Sequence, residues 1–364
     1  MIPQWKKKFD KNDILKKFKY ALENEKFSEG SIVKSFENKV CKFLKVKYAV
    51  AVPSGTSALL ISFLALGLKP KDEIIIQNRS WISVYNAAKL LNLNIKFVDV
   101  DKNRPVLNIN HLKKVLSKKT KVIVPVHMGG RICDMDELLK FVKNKNIKIV
   151  EDAAQAFGSK YQNKFAGTKS DIGCFSMSIT KTISSGQGGF VVTNKKNIFE
   201  RLVKLKNNGL VNINEIYNWG NIGLNLKFSD ILASIAISEI KKFKIYKSKL
   251  IKNYSIYSTN LSKVKHANLI PVYINKGEIP QYIEILCNKR NELQLYLKKK
   301  NIDTRLFYPN LSNKDNKNLK KKKFLNSEFY QKYGLYLPSG PDQKKIDIEK
   351  TVNEIKKFFY ECMK

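Results

Sequence analysis

Cysteine and histidine are scarce in this chain, five and three respectively in 364 residues. The cysteines (Cys41, Cys133, Cys174, Cys287 and Cys362) are odd in number and scattered, without metal-type pairs, which argues against a disulfide framework and against a zinc site. Long hydrophobic runs are missing too. The longest, Ala58 to Leu68, is too short to cross a bilayer and follows a turn, which suits a buried helix. The N-terminus, Met1 to Lys8, has no apolar segment behind its charges and does not read as a signal peptide. A reduced, cytoplasmic compartment is the expectation. No Gly-x-Gly-x-x-Gly follows an early strand, which disfavours a nicotinamide dehydrogenase.

Acidic residues are also few, 31 against 68 basic ones, for a net charge of +37. Such an excess raises the question of nucleic-acid binding. Yet the basic residues are spread over the whole length, aromatics are not interleaved with them, and only six of the 68 are arginine. That pattern fits a lysine- and isoleucine-rich composition better than a phosphate groove, and leaves only a general attraction for anionic ligands. The densest run, Lys320 to Lys323, reads as a solvated loop.

With 43% hydrophobic content the chain can bury a large core and is expected to form two domains. Helical spacing over residues 10–26 is broken by Phe27-Ser28-Glu29-Gly30-Ser31 and resumes over Ile32 to Leu44. A strand at Tyr48–Val52 then turns through Pro53-Ser54-Gly55-Thr56-Ser57 into the apolar helix that begins near Ala58. Strands follow at Glu73–Ile76, Ile95–Asp99, Lys121–Val126 and Ile147–Val150, separated by helices at Trp81–Leu91, Ile109–Leu116 and Asp134–Val142. Apolar strands alternating with helices predict an α/β protein with a largely parallel sheet covered on both faces. Ligands of such sheets bind outside the strand ends. After a small-residue-rich helix over Ser229–Ile240 comes a long lysine-rich helix to about Leu261, where the composition shifts. The boundary is placed near residue 245, giving domains 1–245 and 246–364. The second is read as a small α+β unit with a strand at Tyr282–Leu286, a helix at Arg290–Lys299 and a closing helix at Ile346–Cys362.

Three stretches carry candidate chemistry. Lys181 follows an apolar run containing Ser176, Ser178 and Thr180, and precedes Ser184-Ser185-Gly186-Gln187-Gly188-Gly189, which must bend tightly before the strand Phe190–Thr193. It therefore sits on a loop between two strands, and a lysine in a partly desolvated pocket becomes a usable amine. The alternative for any one lysine in so basic a chain is a solvated surface position. The Ser54–Ser57 turn at a helix start offers free N–H groups, hydroxyls and the helix dipole to a phosphate; a plain capped helix is the alternative. Asp152, in Glu151-Asp152-Ala153-Ala154-Gln155-Ala156, ends a strand. It either caps the helix after that strand or meets a cationic ligand group such as a protonated pyridine nitrogen.

Taken together, Ser54-Gly55-Thr56-Ser57-Ala58-Leu59, Pro125-Val126-His127-Met128-Gly129-Gly130, Glu151 to Ala156, Phe175-Ser176, Lys181 with Gly186 to Gly189, Gly223-Leu224-Asn225, Thr304-Arg305 with Tyr308-Pro309, and Leu337-Pro338-Ser339-Gly340-Pro341 resemble the DegT/StrS family of pyridoxal-phosphate (PLP) nucleotide-sugar aminotransferases. The match covers nearly the whole chain. It implies a PLP transferase of fold type I, aspartate-aminotransferase-like: a three-layer α/β/α large domain plus the small C-terminal α+β domain. It implies Lys181 as the lysine that holds the cofactor and moves the proton, and Asp152 as the partner of the pyridine nitrogen. Gln155 matches the residue beside the ring's 3-hydroxyl, and Trp81 an aromatic stacked on the ring face. Gly55, Thr56, Ser57 and Ser176 match the phosphate site. Asn225 matches an asparagine that reaches the neighbouring subunit's cofactor, so the resemblance implies a homodimer with shared active sites. Tyr308, Ser28 and Glu29 resemble substrate-side positions, and His127 is read as scaffold. No metal is implied.

The sequence departs from the family at Gln187, usually acidic, at Lys227, usually arginine, and at Leu226, usually aromatic. These departures bear on substrate choice and loop geometry. A dehydratase branch of the family carries histidine in place of the lysine, and Lys181 stands against that branch. The resemblance implies transfer of an amino group from an amino acid, glutamate foremost, through pyridoxamine phosphate to a nucleotide-linked keto sugar, at C4 of a 4-keto-6-deoxyhexose, for surface polysaccharide, lipopolysaccharide or glycan synthesis. A C3-keto-sugar aminotransferase and a PLP-binding regulatory protein without turnover remain as alternatives. Neither nucleic acid nor membrane is expected as a partner.

Overall fold

A computed structural model describes residues 1–23, 27–210, 222–314 and 324–361. The Lys320–Lys323 run, Cys362 and the ends of two expected elements lie outside them. In chain order the helices are α1 (Lys11–Glu23), α2 (Ser31–Leu44), α3 (Gly55–Ala65), α4 (Ser83–Leu90), α5 (Ile109–Val115), α6 (Met135–Val142), α7 (Lys196–Lys206), α8 (Asp230–Lys241), α9 (Phe243–Leu261), α10 (Arg290–Lys299), α11 (Leu325–Tyr333) and α12 (Lys345–Glu361). The strands are β1 (Tyr48–Val52), β2 (Glu73–Gln77), β3 (Asn94–Val98), β4 (Thr120–Val124), β5 (Lys148–Asp152), the short hairpin β6 (Lys160–Tyr161) and β7 (Lys164–Phe165), then β8 (Ile172–Ser176), β9 (Gly189–Thr193), β10 (Ala267–Leu269), β11 (Ile283–Cys287), β12 (Arg305–Leu306) and β13 (Gly334–Leu337).

The main sheet has seven strands in the order β1-β9-β8-β5-β4-β2-β3. The neighbours β8-β5, β5-β4, β4-β2 and β2-β3 run parallel, and β9 runs antiparallel to both β8 and β1. Side chains on a strand point alternately to opposite faces, and here the two faces feed two different cores. Ile74, Ile76, Val122 and Val124 join Val50, Val52 and the apolar side of α3 and α4. Ile75, Ile123 and Ala51 join Phe36 and Val40 of α2 with Phe175 and Phe190. Both faces are dry, which is why these strands read as unbroken apolar runs rather than alternating ones. Burying each such isoleucine stabilises the sheet by roughly 1.5–3 kcal/mol.

The second sheet is antiparallel, β10-β11-β13-β12. It packs under α9, α10 and α12 through Tyr257, Leu293, Leu297, Ile348, Val352 and Ile355. Helix α9 spans the expected boundary at 245: Phe243 and Leu250 pack on the main core, and Tyr254, Tyr257 and Leu261 on the second. No helix of the described residues is long and apolar enough to cross a membrane.

The reversal of one strand positions the site. Because β9 returns antiparallel from β8, the connecting loop 177–188 lies at the carboxyl edge of the parallel strands, beside the ends of β1 and β5. A backbone bridge between Ser54 and Gly188 fixes it to the end of β1, and one between Ser178 and Gly186 closes the loop on itself. Gly189 is required at the start of β9, since a Cβ there would stand 2.5 Å from the Ser54 carbonyl. Gly186, at φ +83°, takes a backbone conformation that side chains rarely adopt.

Candidate active site

Asp152 closes β5 with its side chain nearly out of solvent, 6% exposed. Its Oδ1 accepts the Ala154 N–H at 3.0 Å, as a local cap would. Burial pushes its pKa up, opposed by that N–H and by the nearby charges of Lys181 and His127. A buried carboxylate with so little compensation favours a cationic partner.

The preceding residue points to the opposite face and shows the contrast. Glu151 is fully buried, yet its oxygens accept from the N–H groups of Gly167, Lys169 and Ser170, the Ser170 hydroxyl and His127 Nε2. Burial raises its pKa, but His127, Gly167 and Ser170 outweigh it and hold the carboxyl below its ordinary value. The Cys133 N–H points at His127 Nδ1, 3.3 Å away, while Nε2 meets Glu151 at 2.9 Å. His127 is scaffold beneath the site.

Lys181 lies half-buried in the β8–β9 loop, its N–H donating to Ser178 O at 3.0 Å. Among the described residues its Nζ has no hydrogen-bond or ion-pair partner. It lines the same cavity as Asp152, and its charge offsets part of the rise that burial gives that carboxyl's pKa.

The turn after β1 forms the third wall. Ser54 caps α3, its Oγ accepting the Ser57 N–H at 3.0 Å. Gly55 lies so close to Ser176 that a Cβ on it would meet the serine Cβ at 2.9 Å. Gly55, Thr56 and Ser176 line the cavity. Ser57 does not; its hydroxyl pairs with that of Ser54 at 2.9 Å. Thr56 Oγ1 donates to Ser83 Oγ at 2.8 Å.

Gln155 and Trp81 complete the floor and rim. Gln155 Oε1 accepts the Gly129 N–H at 2.9 Å, so its amide nitrogen is the end left for a ligand. Trp81, half exposed, meets Tyr308 edge-on with ring centroids 5.0 Å apart. Tyr308 OH accepts from Arg305 Nη2 at 2.9 Å, and burial pushes that hydroxyl's pKa up to about 12. The cavity they enclose has a volume of ≈ 290 Å³.

Three sequence candidates stand apart from this cavity. Glu29 Oε1 accepts the Phe228 N–H at 2.8 Å and Oε2 pairs with Lys206 at 2.7 Å. Ser28 bridges to Ser229, and Asn225 to Asn207. Conversely, Tyr282 and Arg305 line the cavity although sequence reasoning does not mark them as site residues. Arg305 carries a usable signal: an arginine beside aromatics in a chain that otherwise uses lysine for nearly all its positive charge.

A mostly parallel sheet with a loop lysine, a buried strand-end carboxylate and a helix-start turn converging at its carboxyl edge is the architecture of fold type I PLP transferases. The chain belongs to the DegT/DnrJ/EryC1/StrS aminotransferase family, whose model matches residues 8–356. It is 33% identical over 346 residues to GDP-perosamine synthase of Escherichia coli O157:H7, covering 90% of this chain and 91% of that one. It is 30% identical over 279 residues to UDP-4-amino-4,6-dideoxy-N-acetyl-beta-L-altrosamine transaminase of Campylobacter jejuni, covering 75% and 73%. Among solved structures, a GDP-4-keto-6-deoxymannose-3-dehydratase with a trapped PLP-glutamate geminal diamine superposes with a TM-score of 0.89 at 25% identity, covering 98% of this chain and 100% of that one. The family, the fold class and the aminotransferase class expected from the sequence all hold.

Proposed function

We propose that this protein is a cytoplasmic, PLP-dependent aminotransferase that moves an amino group from L-glutamate to C4 of a nucleotide-linked 4-keto-6-deoxyhexose, for surface polysaccharide or glycan synthesis. The observation that carries it is the meeting of Lys181, Asp152 and the Gly55–Thr56 turn around one cavity. The residues fit the cofactor: an amine without a partner among the described residues, a buried carboxylate whose raised pKa calls for a cation, and a helix start suited to a phosphate. When bound, PLP supplies an aldehyde that takes up the amino group and a ring that accepts electrons from the substrate carbon.

The chain's own residues do the rest. Asp152 would pair with a protonated ring nitrogen and favour its positive charge. Gly55, Thr56 and Ser176 hold an anionic tail, and Gln155 presents its amide nitrogen. Lys181 Nζ holds the cofactor and carries the proton to and from the substrate carbon as general base and acid. Trp81, Tyr308 and Arg305 form the outer wall, where a guanidinium with no carboxylate partner among the described residues suits an anionic substrate.

The Campylobacter relative's name places an amine on C4 of a 4,6-dideoxy sugar, which supports C4. The dehydratase neighbour trapped with glutamate supports that donor. Asn225, away from its own chain's cavity, serves a partner subunit's site in a homodimer. The test is purified protein with PLP, glutamate and a panel of nucleotide keto sugars, read by mass for exchange of oxygen for NH and by NMR for the carbon aminated. A visible cofactor band that persists in Lys181→Ala would refute the lysine assignment.

A further inference from the structure

Three consecutive lysines stand near the N-terminus, Lys6, Lys7 and Lys8, and the fold treats the middle one differently. Its side chain is only 2% exposed, a state lysine almost never takes unless paired. The segment that carries it is pinned to the turn after β13. Lys6 N donates to Ser339 O at 2.9 Å, Ser339 N to Gln4 O at 2.6 Å, and Asp342 N to Lys6 O at 3.1 Å. From that strap the Lys7 side chain crosses to the β8–β9 loop.

Its ammonium has three donors and no acceptor, and three acceptors surround it. Thr182 O lies at 2.8 Å, Lys181 O at 3.4 Å, and the Glu239 carboxylate from α8 completes the set. The Tyr246 ring lies beneath, 4.5 Å from Nζ to its centroid. Glu239 is itself fully buried and committed, accepting the Tyr246 hydroxyl at 2.8 Å and the Ser184 N–H at 3.4 Å. Lys7 and Glu239 thus grip the backbone of residues 181, 182 and 184 from behind. The Lys181 side chain, which lines the cavity, has no such restraint among the described residues.

Two observations separate this from ordinary core packing. An apolar side chain would fill the same space without burying an ion pair. And the two carbonyls held are those of Lys181 itself and its successor, which set where that lysine's Cα and first side-chain bond point.

We propose that Lys7 is a positioning residue for Lys181: it clamps the 181–182 backbone so that the Lys181 side chain is held in the cavity it shares with Asp152, and it ties that placement to the second sheet through the N-terminal strap. This rests on the reading of Lys181 as the cofactor-holding amine. A misplaced amine loses rate while substrate affinity is preserved.

The test uses full-length holoenzyme and the variant Lys7→Met/Glu239→Gln, which removes both buried charges together. Its thermal melt is expected to stay cooperative and its cofactor to stay bound. The saturating rate of the half-reaction with glutamate is expected to fall at least tenfold, with the half-saturating concentration within threefold of wild type. The pH midpoint of the visible cofactor band is expected to move by more than half a unit. A folded variant with wild-type rate and band midpoint overturns the proposal. If that variant does not fold, Lys7→Arg decides. It keeps the charge Glu239 requires, but its planar fork cannot meet two carbonyls and a carboxylate as three tetrahedral donors do. At least a threefold loss of rate with a shifted midpoint supports the proposal, and wild-type values for both overturn it. A wild-type protein with no cofactor band refutes the parent reading and this one with it, whereas a normal band with indifferent variants refutes this one alone.

Discussion

Arg131 and Glu284 form an ion pair with no solvent access, joining the loop after β4 to strand β11 of the second sheet. Arg131 Nε also donates to Pro271 O at 2.9 Å and Nη2 to Ile270 O at 3.0 Å. The pair fits because Gly129, at φ +61°, has no side chain; a Cβ there would run into both Arg131 Nη1 and the Glu284 carboxylate. The cavity draws one wall from each side of this junction, Asp152 and Lys181 from the main sheet and Tyr282, Arg305 and Tyr308 from the second.

Arg131→Met should therefore cost about 3–5 kcal/mol, because it strands a buried carboxylate. Arg131→Met/Glu284→Met should recover most of that loss, since well-packed apolar groups often replace such a pair at little cost. Urea denaturation of the two variants checks this, and equal stability of both would contradict it.

Asp152→Asn should stabilise the cofactor-free protein at neutral pH, by ~0.5–2 kcal/mol, while abolishing transamination. The sign follows from the raised pKa. A carboxyl whose pKa rises on folding resists ionisation in the folded state, so its cost grows as pH rises from the unfolded value and is complete above the folded one. That cost disappears as pH falls below the unfolded value near ~3.9. Asparagine keeps an oxygen for the Ala154 N–H. Melting of both cofactor-free proteins across pH is the measurement, and the gap between them should close in acid.

Glu151→Gln should behave in the opposite way. The Glu151 pKa is lowered in the fold, so its contribution is present above the unfolded value near ~4.3 and is lost as pH falls through the folded one. Glutamine turns donors toward donors, and a loss of about 3 kcal/mol or more at neutral pH is expected, shrinking in acid. A pH-independent loss, or none, would refute the charged assignment.

Arg305→Gln should raise KM for the nucleotide sugar while leaving the visible cofactor band intact. A hydrogen bond to a charged group is worth about 1.5–3 kcal/mol, or roughly 10- to 100-fold. Initial-rate kinetics decide it, since a fall in kcat at unchanged KM would place Arg305 in the chemistry instead.

Much of the fold is legible in the sequence. The strands β1 to β5 can be read from their apolar runs because both faces of the sheet are buried, and the helices between them from their periodicity. The pattern predicts a helix opening at Trp81, but α4 begins at Ser83, because residues 78–82 form the strand-end loop that brings Ser80 and Trp81 to the cavity. The second sheet is hardly legible: β10, β12 and β13 are two to four residues long, too short for a period to show.

The linear order of residues determined the chemistry on offer: a lysine among small residues and glycines, a carboxylate ending an apolar strand, and a serine–glycine–threonine turn at a helix start. These are local matters of residue type and backbone freedom, and they can be read without knowing what lies nearby. Which groups share a cavity was decided only by tertiary structure. The reversal of β9 brings the 177–188 loop to the edge where β1 and β5 end. The second sheet folds back to add Tyr282 and Arg305, and Lys7 reaches Lys181 across 174 positions of chain. Contacts of that kind arise from packing two cores against each other, and no short stretch of sequence encodes them.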